Sequence, residues 1–244
     1  MKFKGNLLHD PLQANKVCLY GQLLMLDLIE KLEPYCDLIQ TNTDGILIKL
    51  RKYEDYDLID DICYKWEQRT MLQLEFEEYA KVFQGDVNNY IVVDHEGKYK
   101  SKGAYVKKLS RIDYDLPIIN KALINYMVKN IPIEKTINDC DDLMEFQKVS
   151  KVSSKYKHAL YGDKKISEKC IRVFASADAN DCGVFKVHAV TNRVAKIENT
   201  PERCFIFNDD VKGVKVPSKL DKQWYIDLTV ERLKKKWGID YEVV

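Results

Sequence analysis

The chain has 244 residues, of which 45% are hydrophobic, so it is long enough for one large domain or two modest ones and too apolar for a disordered tail. Its 39 Lys and Arg residues nearly cancel its 38 Asp and Glu residues, which excludes nucleic-acid binding by overall charge and leaves only local clustering. No apolar run approaches the ~18 residues that span a bilayer, and we see no signal segment, so we expect a soluble intracellular protein.

The first predicted helix begins near Pro11, runs to Leu32 and is ended by Pro34. Apolar residues surround most of its circumference, so we expect it to be buried on several sides. Gly21 in its interior costs about 1 kcal/mol relative to Ala, which favours a close-packed neighbour at that point.

Residues 37–50 predict a β-hairpin, because two short aliphatic stretches flank the turn-forming sequence Asn42-Thr43-Asp44-Gly45. Asp44 at the tip is either a good turn residue or a metal ligand. A calcium-binding loop is excluded, since Gln40 and Arg51 stand where that loop needs an Asp and a bidentate Glu.

Residues 53–69 predict an amphipathic helix, and we attribute its acidic start to the helix dipole and solvation and not to a metal site. The stretches 72–83, 87–93 and 99–106 alternate enough to predict strands, with a hairpin turn at residues 95–97. Helices packed on an antiparallel sheet are therefore expected in the first hundred residues.

The character of the chain changes after these strands. A four-residue apolar rhythm predicts a helix over 117–130, and a polar region beyond it contains candidate strands at 156–161 and 171–174. Asp221 is the predicted cap of a final helix that ends at Gly238. The whole pattern predicts an α+β fold, in which an antiparallel sheet with packed helices is followed by a mixed, partly helical lobe.

The cysteines and histidines give no metal site. The seven cysteines are scattered without the paired short spacing of zinc or redox motifs, and the four histidines show no ligand spacing. We expect reduced thiols in a cytosolic protein.

The order of buried helix, strand, turn with an Asp and strand resembles the motif C region of family B DNA polymerases. The usual turn in that family is Asp-Thr-Asp-Ser, and Asn42-Thr43-Asp44-Gly45 resembles its phage-type members. The resemblance implies that Asp44 is a catalytic carboxylate and holds two Mg²⁺ ions together with an Asp of motif A. Asn42 replaces the first Asp of the pattern and brings no charge.

A second match follows the hairpin. Asn88-Asn89-Tyr90 falls where the family has a Lys-x-Tyr motif that contacts the primer, although only the Tyr is retained. The Lys102-Gly103 pair, with Arg111 and Asp113, resembles the passage from palm to thumb. The resemblance, together with a stretch of six basic and no acidic residues from Gly97 to Ile112, implies DNA contacts by Tyr90, Lys98, Lys100, Lys102, Lys107, Lys108 and Arg111.

Two basic stretches also have a plainer interpretation. The first could be a solvated basic hairpin. The second could track a duplex backbone or be an ordinary charged face; it comprises Lys148, Lys151, Lys155, Lys157 and His158 with Tyr156 and Tyr161.

The resemblance implies that residues 1–105 are the C-terminal part of a polymerase palm, with the motif C hairpin at 37–50, and that residues 106–244 are the thumb. The expected activity is template-directed deoxynucleotidyl transfer by a DNA-directed DNA polymerase in phage-type replication. Primer-template DNA, dNTPs and an N-terminal polymerase portion with motif A and the fingers are the expected partners, in the cytoplasm of a bacterium or phage-infected host cell. We expect the isolated chain to be inactive.

Two alternatives remain open from the sequence. The first is a noncatalytic DNA-binding or assembly subunit that retains a palm-like hairpin. The second is an unrelated α/β protein with a chance turn, which predicts no second carboxylate site beside Asp44. A hairpin tip buried in apolar packing would support it.

Overall fold

The computed structural model describes residues 10–110 and 113–242. The predicted α+β class is confirmed, since antiparallel sheets and α-helices alternate along the described chain. The backbone divides into two compact units, Met1–Glu78 and Tyr79–Val244. The palm-to-thumb boundary after residue 105 stays a prediction. No described helix is long and apolar enough to cross a membrane.

The first unit consists of two helices and one hairpin, as predicted. Asp10 caps the first helix by accepting hydrogen bonds from the backbone N–H groups of Leu12 and Gln13, both at 3.0 Å. A short 3₁₀ turn, Tyr53–Asp55, precedes the second helix. The elements are α1 (Pro11–Leu32), β1 (Cys36–Thr41), β2 (Ile46–Leu50) and α2 (Tyr56–Thr70).

The prediction that α1 is buried on several sides is wrong. Only Leu28 and Leu32 are fully buried, whereas Leu12 and Tyr20 remain 65% and 62% exposed. The reason is that only the last turns of α1 reach the core that α2 and the hairpin form. The expected close neighbour of Gly21 is also missing from the described residues, because a Cβ built there meets nothing within 4 Å.

The core of the first unit lies where these last turns of α1 meet α2. Its buried members are Leu28, Leu32, Cys36, Ile59, Cys63 and Trp66. Asp27 of α1 forms ion pairs with Lys31 and with Arg69 of α2, and the Lys31 hydrogen bond is the main cause that lowers the Asp27 pKa. Apolar packing and the Asp27–Arg69 ion pair therefore both hold α1 against α2.

The second unit begins with a three-stranded antiparallel sheet. The predicted first strand starts later than expected, because residues 72–80 form no regular structure. The predicted third strand is shorter, since Gly103 and Tyr105 adopt φ values of +96° and +68° and turn the chain. The strands are β3 (Lys81–Asp86), β4 (Asn89–Val93) and β5 (Tyr99–Lys102), in that order across the sheet.

Three helices pack beside this sheet around the main core. The predicted helices at 117–130 and after Asp221 are confirmed, and Asp221 accepts from the N–H of Trp224 at 3.2 Å. They are α3 (Pro117–Lys129), α4 (Ile133–Asn138) and α5 (Lys222–Arg232), and α5 continues as a wide turn, Leu233–Trp237, up to Gly238. The largest fully buried side chain of this core is Tyr225.

Two further antiparallel sheets follow α4, and they give the region more strand than predicted. The strands are β6 (Lys148–Lys151), β7 (Tyr156–Tyr161), β8 (Lys164–Ile166), β9 (Cys170–Ala175), β10 (Val184–His188), β11 (Val194–Lys196) and β12 (Cys204–Ile206). The expected strands at 156–161 and 171–174 are confirmed as β7 and β9. The strand orders in the two sheets are β11-β10-β7-β8 and β12-β9-β6.

Candidate nucleic-acid interface

Asp44 lies at the exposed tip of the β1–β2 hairpin, as predicted. The turn is closed by a 2.8 Å hydrogen bond from the Asn42 N–H to the Gly45 carbonyl, and Gln40 donates to Asn42 Oδ1 at 3.0 Å. The Asp44 carboxylate has no hydrogen bond or ion pair with any described residue. A turn closed by a backbone hydrogen bond thus presents a carboxylate whose oxygens are available to a ligand.

The hairpin tip suits part of a magnesium site. Carboxylate oxygen is the ligand that Mg²⁺ prefers, and Mg²⁺ sites commonly use one or two protein carboxylates together with substrate phosphates. Across residues 10–110 and 113–242, no group of three or more His, Cys, Asp or Glu side chains is placed to hold a metal ion. An exposed carboxylate such as that of Asp44 has the chemistry of one such ligand. The tip is not buried in apolar packing, an arrangement that would have supported a chance turn.

Three of the predicted DNA contacts share one face of the β3–β4–β5 sheet. Tyr90 pairs with Lys102 and Val92 with Lys100, so Tyr90, Lys100 and Lys102 project to the same side. The Lys102 ammonium lies over the Tyr90 ring, 6.0 Å from its centroid. The opposite face carries Ile91 and Val93 into the main core. The core therefore holds the strand that presents these polar and basic side chains.

A rigid loop follows Lys102. The buried Asn89 side chain accepts from the Ala104 N–H at 2.6 Å and donates to Asp86 Oδ1, also at 2.6 Å. A Cβ at Gly103 would collide with the Asn88 carbonyl and the Asn89 side chain. This collision and the positive φ make glycine necessary at position 103.

Side chains of α5 and of the turn that follows it contact both ends of this loop region. Lys236 donates to Asp86 Oδ2 at 2.6 Å, and this bond is the main cause that lowers the Asp86 pKa to about 2, with further hydrogen bonds from Asn89 and Asn88. The Arg232 guanidinium stacks on the Tyr105 ring, 4.0 Å from its centroid, and burial lowers the Arg232 pKa. The loop is therefore fixed from two directions.

Lys107 belongs to a separate basic groove of about 320 Å³. The groove runs between Tyr99, the segment after the rigid loop, and one face of α3 that carries Lys121 and Lys129. Neither Lys121 nor Lys129 pairs with a carboxylate of the described chain, whereas Lys107 pairs with Asp113. Lys121 and Lys129 were not predicted from the sequence. Their eight-residue spacing on a helix was the available signal.

The remaining predicted DNA contacts, Lys98, Lys108 and Arg111, have different surroundings. Lys98 lies in the β4–β5 turn and pairs with Glu96, and Lys108 is exposed beyond the rigid loop. Arg111 lies outside the described residues. Asp44 belongs to the first compact unit, and the other predicted site residues in the described ranges belong to the second.

The second basic stretch does not form one surface. Lys148 pairs with Asp115 at 2.7 Å, Lys157 donates to Asn192 at 2.7 Å, and Lys151 lines a cleft beside Cys170 and Arg172. Burial and the neighbouring Lys165, Lys157 and Lys169 lower the His158 pKa, which shows that positive charge surrounds that imidazole.

Comparison with known proteins adds no assignment: no family model and no curated protein matches this chain.

Proposed function

We propose that this chain is the C-terminal palm and thumb portion of a DNA-directed DNA polymerase that works in phage-type replication. The observation that carries the proposal is the exposed Asp44 carboxylate, which has no partner in the described chain and stands on a closed hairpin turn. Phosphoryl transfer needs carboxylates on rigid backbone, because small displacements of the metal ligands misalign the reacting oxygens.

In this proposal Asp44 binds Mg²⁺ together with an Asp of the N-terminal motif A portion. Bound magnesium in such enzymes polarises the attacking 3′ hydroxyl and stabilises the leaving pyrophosphate. Asn42 does not add charge at the tip, so Asp44 is the carboxylate on which this hairpin depends.

Primer-template DNA is held in this proposal by the basic face and the basic groove. Tyr90, Lys100 and Lys102 contact one stretch of backbone, and Lys107, Lys121 and Lys129 contact another. Contacts to phosphates give affinity without base specificity, which a polymerase requires.

The test is reconstitution. The chain is mixed with the N-terminal polymerase portion, Mg²⁺, dNTPs and primer-template DNA, and primer extension is measured. We expect extension with the wild-type chain, none by the isolated chain, and a loss of at least about 100-fold with Asp44→Asn, since a metal-binding carboxylate contributes several kcal/mol.

Asn42→Asp is the matched control at the same turn and restores the charge pattern that is usual in the family. We expect it to retain extension. Activity that survives Asp44→Asn would show that Asp44 is not a metal ligand.

A noncatalytic DNA-binding or assembly subunit is the second candidate. It is favoured by the exposed apolar side chains of α1, of which Leu12, Val17 and Tyr20 are each at least 62% exposed. This candidate predicts a stable complex with the N-terminal portion and an extension rate that does not depend on Asp44.

A further inference from the structure

A cleft of about 470 Å³ opens on one face of the β12–β9–β6 sheet. Arg172 pairs with Val149 and Cys170 with Lys151, so these four side chains project from the same face. Farther along β9, Phe174 of this face is buried in the main core. The sheet face is therefore apolar and covered at one end and polar and open at the other.

Two cations in the cleft lack a carboxylate partner in the described chain, Lys151 and Arg172. The Arg172 guanidinium is held by the backbone carbonyls of Asn208 at 2.8 Å and Asp209 at 3.3 Å. Those neutral acceptors orient the guanidinium and leave its charge uncompensated.

Both carboxylates of the cleft lining already have ionic partners. Asp115 pairs with Lys148 at 2.7 Å and also accepts from the Val149 N–H, and Asp113 pairs with Lys107. Glu168 stands nearby, where its own backbone N–H, Ser167 and the Asn208 side chain lower its pKa. Within the lining, Lys151 and Arg172 are therefore the charged side chains without an ionic partner, and the nearby Glu168 carboxylate has neutral hydrogen-bond partners.

Gln147 adds an unpaired hydrogen-bond acceptor to the cleft lining. This side chain is only 4% exposed, and its Nε2 donates to the Tyr114 carbonyl at 2.8 Å, which fixes the orientation of the amide. Its Oε1 is buried without a donor from the described residues. An unpaired buried acceptor costs about 1 to 3 kcal/mol, so a small side-chain movement that lets a cleft ligand donate to this oxygen would remove a penalty.

We propose that this cleft binds a nucleotide: its phosphate contacts Lys151 and Arg172, and a sugar hydroxyl or base amine donates toward Gln147. The volume falls in the range of small-molecule sites and suits one nucleotide, either free or as the phosphorylated end of a single strand. Arginine with lysine is a common pair for phosphate recognition. The inference does not depend on the proposed polymerase activity.

The test uses Cys170, an exposed thiol in the cleft lining. The intact chain is treated with iodoacetamide in the presence of deoxyadenosine monophosphate, deoxyadenosine, or a short single strand with a 5′ phosphate, and modification of each cysteine is followed by mass spectrometry. Cys18, which is also exposed and belongs to the other compact unit, is the internal control. We expect the phosphorylated probes to slow modification of Cys170 and not of Cys18, and deoxyadenosine to have no such effect.

Variants then distinguish binding in the cleft from nonspecific electrostatic attraction to basic residues. Lys151→Gln and Arg172→Lys should each weaken binding of the protecting probe by at least about fivefold, and Lys155→Gln, an exposed lysine outside the cleft, should not. Protection by the monophosphate identifies a free nucleotide as the ligand, and protection by the strand alone identifies a strand end. Equal protection by deoxyadenosine, or affinity unchanged in Lys151→Gln, would overturn the proposal. Lys151 is exposed, so its variant folds even if Arg172→Lys does not.

Discussion

Lys236 donates to Asp86 across 150 residues of sequence, at an Nζ to Oδ2 distance of 2.6 Å. This bond joins the last helical turn to the end of β3. Since the Asp86 pKa falls to about 2 in the folded protein, its carboxylate stays charged under conditions where an unfolded Asp is protonated.

The sign of the pH dependence follows from that shift. A lowered folded pKa gives stability that is fully present above about pH 4 and is lost as the pH falls toward about 2. We expect the free energy of unfolding of Asp86→Asn, measured by urea titration, to decline less steeply than wild type over this window. Lys236→Met should reduce the steepness in the same way, and a wild-type slope in both variants would contradict the assignment.

Gly103→Ala should destabilise the second unit by more than about 3 kcal/mol, because left-handed backbone strain adds to a collision with Asn88 and Asn89. Gly97→Ala is the matched control. Gly97 also has a positive φ, of +80°, but a Cβ there meets no atom within 4 Å, so only the strain of about 1 to 2 kcal/mol is expected. Chemical denaturation of both variants measures the difference, and equal costs would mean that the collision is relieved without penalty.

The proposed DNA-binding surfaces predict a change in salt dependence. Replacing Lys100 and Lys102 together by Gln, or Lys121 and Lys129 together, should lower the slope of log affinity against log salt by about 0.9 for each phosphate that the variant no longer neutralises. Lys212→Gln, at an exposed position outside both surfaces, should keep the wild-type slope. Fluorescence anisotropy with labelled primer-template DNA gives these slopes. If only one pair changes the slope, DNA uses only that surface.

Tyr225→Phe should cost at least about 2 kcal/mol. Its buried hydroxyl donates to the Phe146 carbonyl at 2.8 Å and accepts from the Ala175 N–H at 3.1 Å, so the substitution leaves two buried backbone groups without partners. Tyr126→Phe is the control, since the Tyr126 ring contacts Tyr241 but its hydroxyl forms no hydrogen bond with the described residues. We expect that control to change the free energy of unfolding by less than about 0.5 kcal/mol.

Local patterns were sufficient to predict the α+β class, the Asp44 hairpin and the helices that became α3 and α5, because caps, turn formers and apolar periodicity act over a few residues. The same patterns could not show that much of α1 is exposed. Periodicity identifies an apolar helix face, but it does not show whether another element packs on that face. Strands such as β8 and β11 are three residues long, and their pairing depends on distant segments.

The candidate site was predictable to the same limited extent. Asp44 and Tyr90 were named from residue order and resemblance, and their roles stay predictions. Lys121 joins Lys107 only because α3 lies beside the segment after β5, and Gln147 reaches the cleft only through the packing of β6 and β9. Contacts between residues from distant segments of this kind do not produce a local sequence pattern.

The position of Tyr225 and Trp237 in the main core has a consequence for synthesis on the ribosome. The core begins with Ile91 and is completed only by side chains of α5 and the turn that follows it. A nascent chain must therefore expose the apolar faces of α3 and β4 until almost all of the second unit has been translated, whereas the compact first unit can form earlier. We expect the interval between these two events to be the period in which the growing chain most needs a chaperone.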